Sequence, residues 1–155
     1  LRSLGWPPNT GPHMNKIRFQ SVPVEWHPSA KCVAMAMLNP THICLRDAGI
    51  FRTVQPYKPK TVRMITDAIA ELAKWAQNEG RTADLSTWQQ NDCDAYLHWT
   101  RTNRATSTAR LAVDSIQALR RYAPLMPDLG LQFDPWNGAP GSDGPLEKPW
   151  NSTKV

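Results

Sequence analysis

An apolar residue recurs at every third or fourth position through residues 61–78, and this spacing constrains the fold more than any other feature of the chain. It is the spacing of one helix face, and such a stripe is stable only when it is buried against other elements. The stripe consists of Val62, Ile65, Ala68, Ile69, Leu72, Trp75 and Ala76, opposite Arg63, Asp67, Ala70, Lys74 and Gln77. Gly80 follows, as is typical of a helix end. Residues 61–78 are therefore predicted to form a long amphipathic helix.

Further helices are predicted at residues 28–38, 89–102 and 107–122, with a short turn of helix at residues 41–48. Pro28 suits a first helical turn, and Ser107 or Thr106 is a good N-cap for the last helix. The predicted inner face of the helix at 28–38 consists of Ala30, Val33, Ala34, Met37 and Leu38. That of the helix at 89–102 consists of Cys93, Tyr96, Leu97 and Thr100, and that of the helix at 107–122 of Leu111, Ala112, Ser115, Ile116, Leu119 and Tyr122. No segment alternates with period two over a useful length, so the chain is predicted to be all-α, a small bundle of about four helices.

Proline and glycine separate this predicted bundle from two irregular ends. Residues 1–29 show no sustained periodicity and are predicted to form an irregular arm, of which residues 1–14 are set aside because residues 11–14 resemble an expression-vector remnant. Residues 30–133 are the predicted helical domain. Residues 134–155 contain four prolines and three glycines, which predicts a linker.

Charge and composition narrow the class of partner. The chain has 18 Lys and Arg against 13 Asp and Glu, a formal net charge of +5, which favours a polyanion such as nucleic acid. No apolar run approaches the roughly 20 residues of a membrane helix, and no secretory leader opens the chain. Three widely spaced cysteines, Cys32, Cys44 and Cys93, fit free thiols in a reducing cytoplasm.

The sequence offers no motif for catalysis or for metal binding. Its histidines and cysteines lack metal-ligand spacing, and no phosphate-binding glycine loop or hydrolase motif is present. Asp92 and Asp94 are two positions apart and point to different faces of a helix, so they are not expected to form a catalytic pair. They are expected to interact favourably with the positive end of the helix dipole. Trp75 and Tyr96 are expected in the core, with Trp88 holding the loop before the third helix onto it. No enzymatic activity, cofactor or metal is expected.

Basic and hydroxyl side chains gather at two predicted helix starts. They are Lys58, Lys60, Thr61 and Arg63 at the first, and Arg101, Arg104, Ser107, Thr108 and Arg110 at the second, whose helix also carries Arg121 on its solvent face. Cations, hydroxyls and the N–H groups at a helix start can together bind the oxygens of a DNA phosphate. An ordinary solvated basic surface explains the same residues without a ligand, and both interpretations stay open.

The order and spacing of several short segments resemble those of a known DNA-binding family. Residues 58–62 with the helix that follows, residues 92–97, and residues 107–110 with 116–122 resemble the helices of the core-binding domain of tyrosine recombinases, the phage-integrase family. Residues 38–42 and 133–136 are similar to segments of actinobacterial-type integrase-like proteins. The resemblance covers roughly residues 30–137.

The resemblance implies a SAM-like helical bundle that forms one jaw of a clamp around double-stranded DNA. In the family, a separate C-terminal domain holds the nucleophilic tyrosine and its catalytic cations. None of Tyr57, Tyr96 and Tyr122 is expected in such surroundings. The implied partners are DNA, the catalytic domain of the same parent protein and other recombinase protomers, in a bacterial cytoplasm and on the nucleoid. The alternatives are a helical protein–protein interaction module with an incidental basic face and an enzyme of unknown type.

Overall fold

α-Helices dominate the described part of the chain, which comprises residues 19–51 and 55–136 of this computed structural model. The five helices are α1 (His27–Leu38), α2 (Ile43–Asp47), α3 (Pro59–Asn78), α4 (Gln90–Asn103) and α5 (Thr106–Arg121). Short 3₁₀ helices occupy Val24–Trp26, Leu85–Thr87 and Ala123–Leu125. No strand occurs within these residues, so the prediction of an all-α bundle is confirmed.

The first long helix, α1, lies at the centre of the bundle. Its predicted apolar face is buried, but so are Ser29, Cys32, Met35 and Ala36, so that nearly the whole circumference is covered. A helix composed mostly of small and apolar residues can be surrounded in this way by its neighbours. It ends at Asn39, whose side-chain amide donates to the carbonyl of Met35 at 2.7 Å.

Helix α3 packs against both α1 and α5, and this widens the face that it buries. Of the predicted stripe, Ala68 is only half-buried and the other six residues are buried. Ala70, predicted on the solvent face, is buried, as are Thr66 and Ala73. Two packed neighbours bury a broader arc than one apolar stripe predicts, which is why the assignment of Ala70 was wrong.

The helix starts differ in detail from the predicted ones. Helix α3 starts at Pro59, with Lys58 as its N-cap, two positions before the predicted start. Helix α5 starts at Thr106 with Ala105 as its N-cap and no side-chain cap, so the predicted cap at Ser107 or Thr106 is wrong. At α4, Gln89 and Asp92 form a capping box in which the Asp92 carboxylate accepts from the Gln89 N–H at 2.7 Å.

The buried face of α5 follows the prediction at Ala112, Ser115, Ile116, Leu119 and Tyr122, whereas Leu111 is only half-buried. On α4, all four predicted inner residues are buried. These two helices pack on each other and complete the bundle around α1 and α3.

Five aromatic rings join the segments of the bundle into one row. The ring centroids of Trp26 and Trp88 are 6.0 Å apart, and those of Trp88 and Trp75 are 6.5 Å apart. Trp75 lies 5.1 Å from Tyr96, and Tyr96 stacks on Trp99 at 6.0 Å with an interplanar angle of 17°. The Trp88 indole N–H donates to the carbonyl of Thr82 at 3.0 Å, which confirms that Trp88 holds this loop onto the core.

The predicted irregular arm is wrong for residues 24–29, which form a 3₁₀ helix and the first turn of α1, and it packs on the core already at Val22. Trp26 is 1% exposed and Val22 is 3% exposed, and the 3₁₀ helix Val24–Trp26 leads directly into α1. The prolines of this segment begin helices rather than interrupt the fold, because Pro28 occupies the first turn of α1. Residues 1–18 lie outside the described residues.

The start of the predicted linker packs on the bundle. Asp134 pairs with Arg120 at 2.6 Å, and the Trp136 indole N–H donates to an Asp94 carboxylate oxygen at 2.7 Å. Trp136 has a φ of 63°, a backbone conformation that is energetically unfavourable for a residue other than glycine. Its contacts with the bundle offset that cost. Residues 134–136 are therefore part of the folded unit, and residues 137–155 lie outside the described residues.

Replacing Leu72 by Ala tests the packing of α3. Leu72 is fully buried, so the loss of its side chain should lower the free energy of unfolding by about 2–5 kcal/mol, measured by urea denaturation. The control is Met64→Ala on the same helix, which is 43% exposed and should change stability by about 0.5 kcal/mol or less. Equal effects of the two substitutions would contradict the assigned face.

Candidate nucleic-acid interface

The start of α3 presents cations around an uncapped helix end. Lys58 is the N-cap residue, is exposed and contributes no side-chain cap, and the first turn contains no acidic residue. Lys60 is exposed and Thr61 is half-buried in that same turn. The first N–H groups of a helix have no intrahelical acceptor and carry the positive end of its dipole. This end of α3 is therefore electrostatically suited to an anion.

The last turn of α5 brings a further cation to the same end of α3. A terminal nitrogen of Arg121 lies 3.4 Å from the hydroxyl of Tyr57, which immediately precedes Lys58. Arg63, one turn into α3, is half-buried and its Nε makes no hydrogen bond. The "α3 group" is defined as Lys58, Lys60, Thr61, Arg63 and Arg121.

A second set of predicted residues surrounds the start of α5. Arg101 lies in the last turn of α4 and is exposed, and Arg104 is the C-cap of α4. Ser107 and Arg110 are exposed, Thr108 is half-buried, and the first turn of α5 contains no acidic residue. The "α5 group" is defined as Arg101, Arg104, Ser107, Thr108 and Arg110.

Arg104 is already engaged within the protein, which the sequence did not predict. Its Nη2 lies 2.7 Å and its Nε 2.8 Å from a carboxylate oxygen of Glu71, and its guanidinium lies 4.8 Å from the ring centroid of Trp99. The pair remains 42% and 32% exposed at the two side chains. Arg104 is therefore a weaker candidate for phosphate contact than Arg101 or Arg110.

The two groups do not form one patch. Helix α5 begins beside Glu71, near the middle of α3, and ends beside Tyr57 at the start of α3. Glu71 is twelve positions beyond Pro59, which corresponds to about 18 Å along the helix. The structure therefore presents two separate basic groups, each at a helix start.

The bundle is basic only at particular places on its surface and not as a whole. Residues 19–51 and 55–136 contain twelve Lys and Arg and eleven Asp and Glu, so this part of the chain is almost neutral. Ion pairs within it engage Arg81, Arg104 and Arg120. The net charge of +5 is thus not a property of the bundle, and any attraction for a polyanion must come from the placement of its cations.

Asp114 lies on the face of α5 that also carries Arg110 and Arg121. Burial raises the pKa of Asp114 to about 6, and the nearby charge of Arg110 opposes that rise. The predicted solvent face is therefore mixed, because Asp114, Gln117 and Arg121 are half-buried and only Arg110 is exposed.

The nucleophilic side chains in the described residues differ in their surroundings. Burial raises the pKa of the Cys32 and Cys93 thiols to about 12, so both remain protonated at neutral pH. Burial and the charge of Glu71 raise the pKa of Tyr96. The hydroxyl of Tyr57 lies 3.4 Å from a terminal nitrogen of Arg121.

Within the described ranges, no group of three or more His, Cys, Asp or Glu side chains is arranged to hold a metal ion. No helix there has the length and apolar character needed to cross a membrane. Comparison of the chain with protein-family models, with curated proteins and with solved structures found no match.

The raised pKa of Asp114 predicts how stability depends on pH. The native state holds this proton more tightly than the unfolded chain does, so stability is lost as the pH rises through about 6. Asp114→Asn removes the ionisation and should raise the free energy of unfolding at pH 7.5, with a gain that shrinks toward pH 4.5. Urea denaturation at both pH values measures this. Asp128→Asn, at an exposed site, is the control and should show no such pH-dependent gain. A gain of equal size at both pH values would contradict the assignment.

Proposed function

We propose that this bundle is a DNA-binding domain, the core-binding domain of a tyrosine recombinase, that grips duplex DNA through its phosphates. The observation that carries the proposal is that two long helices each have exposed cations near their starts and no acidic residue in their first turns. Oriented N–H groups, hydroxyls and cations together are the chemistry that phosphate oxygens accept. The resemblance of the helices to those of the integrase family supports the recombinase assignment.

The spacing of the two groups is compatible with one duplex. Phosphates follow each other by about 3.4 Å of axis on each strand, so a separation of about 18 Å corresponds to about five base-pair steps. One group would contact the backbone near one end of this interval and the other group near its opposite end. Such contacts fix the register of the protein on DNA and carry no base information.

In this proposal the catalytic step belongs to another domain of the same parent protein. The bundle positions duplex DNA for integration or excision, in concert with other protomers bound to the same DNA. It would act in the bacterial cytoplasm and associate with the nucleoid when bound. The alternative, a protein–protein interaction module, is favoured by the near-neutral charge of the bundle and by the engagement of Arg104 with Glu71.

Binding of a duplex of unrelated sequence at increasing salt tests the proposal. With four to six phosphate contacts, the log–log slope of affinity against salt should be about −4 to −5, measured by fluorescence anisotropy from about 50 mM salt. Substituting Lys58 and Lys60 together by Ala, or Arg101 and Arg110 together, should reduce the magnitude of the slope by about one to two units. All four side chains are exposed, so their removal should leave the fold intact.

The matched control removes Lys31 and Lys74, which are equally exposed and lie outside both groups. This pair changes the net charge by the same amount and should change the slope by less than the other pairs do. An equal loss in the control would mean that DNA binds elsewhere. An absence of salt-sensitive binding at about 50 mM salt would favour the interaction module.

The proposal also predicts that the chain forms no covalent link to DNA. Incubated with a nicked suicide duplex, it should give no denaturant-resistant adduct on a gel, because one arginine beside Tyr57 is far from a full set of activating groups. The matched variant is Tyr57→Phe. An adduct formed by the parent chain and lost in this variant would show that the domain cleaves DNA itself.

A further inference from the structure

A groove lies at the surface between α3, the end of α4 and the segment that precedes α1. It has a volume of about 530 Å³ and contains two indole rings, Trp75 and Trp99, beside the carboxylates of Asp67, Glu71 and Glu79. We call it the Trp99 groove. Neither basic group accounts for it: of their residues, it includes only Arg104.

The groove carries more negative charge than its own cations compensate. Asp67 and Glu71 are an i,i+4 pair of like charge on α3, an arrangement that destabilises a helix unless a cation lies between them. Arg104 pairs with Glu71, whereas Asp67 and Glu79 form no ion pair with any described residue. Lys74 supplies the other positive charge in the lining. The Asp67 end of the groove therefore has a carboxylate that pairs with no described cation.

The position of Arg104 shows which chemical group fits this end of the groove. Its guanidinium is held by the Glu71 carboxylate at 2.7 and 2.8 Å and lies 4.8 Å from the centroid of Trp99. The Trp99 ring is supported from Tyr96 by stacking at 6.0 Å. A carboxylate and an aromatic face are the two partners that a guanidinium binds best, because it is planar, charged and weakly hydrated. The groove thus already holds one guanidinium, supplied by its own chain.

That internal guanidinium is held loosely enough to be exchanged. The side chains of Arg104 and Glu71 are 42% and 32% exposed, and ion pairs with this exposure contribute little to stability. An arginine from outside could take the place of Arg104 on Glu71 and Trp99, or could lie beside it against Asp67. The carboxylates of the groove would repel a nucleic-acid backbone, so the occupant is a cation.

We propose that the Trp99 groove binds an arginine side chain from a basic segment of a partner protein. The arginine lies against Trp99 and between the carboxylates of Asp67 and Glu71, where charge and aromatic stacking act together. This interaction does not depend on the proposed function. The groove shares Arg104 with the α5 group, but its other charged lining residues are three carboxylates and Lys74. The groove and the two basic groups would allow the bundle to hold a protein and a duplex at the same time.

Nuclear magnetic resonance of the ¹⁵N-labelled chain tests this, with Nα-acetyl-arginine amide as the probe. The probe should shift the indole N–H signal of Trp99 and the backbone signals around Asp67 and Glu71 in a saturable manner. The citrulline analogue has the same shape but no charge, and it should leave these signals unchanged. Asp67→Asn should weaken binding of the arginine probe by about twofold to fivefold. Asp128→Asn makes the same change at an exposed site outside the groove and should have no effect.

The variant Arg104→Ala distinguishes a binding site from a purely structural ion pair. Removing the internal competitor frees Glu71 and Trp99, so affinity for the probe should rise by about twofold to fivefold. Unchanged or weaker binding in this variant would overturn the proposal. So would equal shifts with citrulline, shifts scattered over the whole surface, or displacement of the probe by short duplex DNA. Apart from displacement by duplex DNA, these outcomes do not depend on whether the chain binds DNA.

Discussion

Contacts between aromatic rings join α3 and α4 to each other and to the segments that precede α1 and α4. Trp26, Trp88, Trp75, Tyr96 and Trp99 form a row in which neighbouring centroids lie 5.1–6.5 Å apart. The row begins before α1, crosses α3 and ends on α4. Aromatic side chains bury large areas and prefer the edge-to-face and offset geometries seen here. Helices α3 and α4 have little close backbone packing with each other, so their relative position depends on this row and on α5, which packs against both.

Both candidate surfaces follow from that arrangement. Because Tyr96 supports Trp99, the end of α4 is held beside α3, and Arg104 reaches Glu71. Helix α5 then starts near the middle of α3 and returns to its first turn, where Arg121 contacts Tyr57. One consequence is that the basic residues divide between two helix starts instead of forming one patch. The other is that a groove with aromatic and acidic lining stays open along α3.

Much of the fold could be predicted from the sequence, because helical periodicity depends only on local spacing. The predicted stripes of α3 and α5 are buried except for Ala68 and Leu111, which are half-buried. Further residues are buried outside the predicted stripes: Thr66, Ala70 and Ala73 on α3, and Ala109, Val113 and Ala118 on α5. These differences concern the width of a buried face, which depends on how many helices pack against it. The prolines before α1 predict an irregular arm, whereas Trp26 in this segment is buried in the core. A large aromatic residue directly before a helix was the available signal.

The candidate site could be predicted only in part. The sequence identifies cations near helix starts, since both features are local. It does not reveal the pairing of Arg104 with Glu71, which are 33 positions apart, or the contact of Arg121 with Tyr57, which are 64 apart. It also does not reveal that Asp114 is half-buried and its pKa raised. These properties depend on the tertiary arrangement, which brings together residues that are far apart in the sequence.

The most direct test of this account is a map of the surface that duplex DNA contacts. A short duplex of unrelated sequence, titrated into the ¹⁵N-labelled chain at low salt, should shift the backbone signals of Lys60 and Thr61 and those of Ser107 and Thr108. The indole signal of Trp99 should not move, because it lies in the acidic groove. Shifts at both helix starts with an unaffected groove are the predicted result. Shifts confined to the groove, or none at either helix start, would contradict the account.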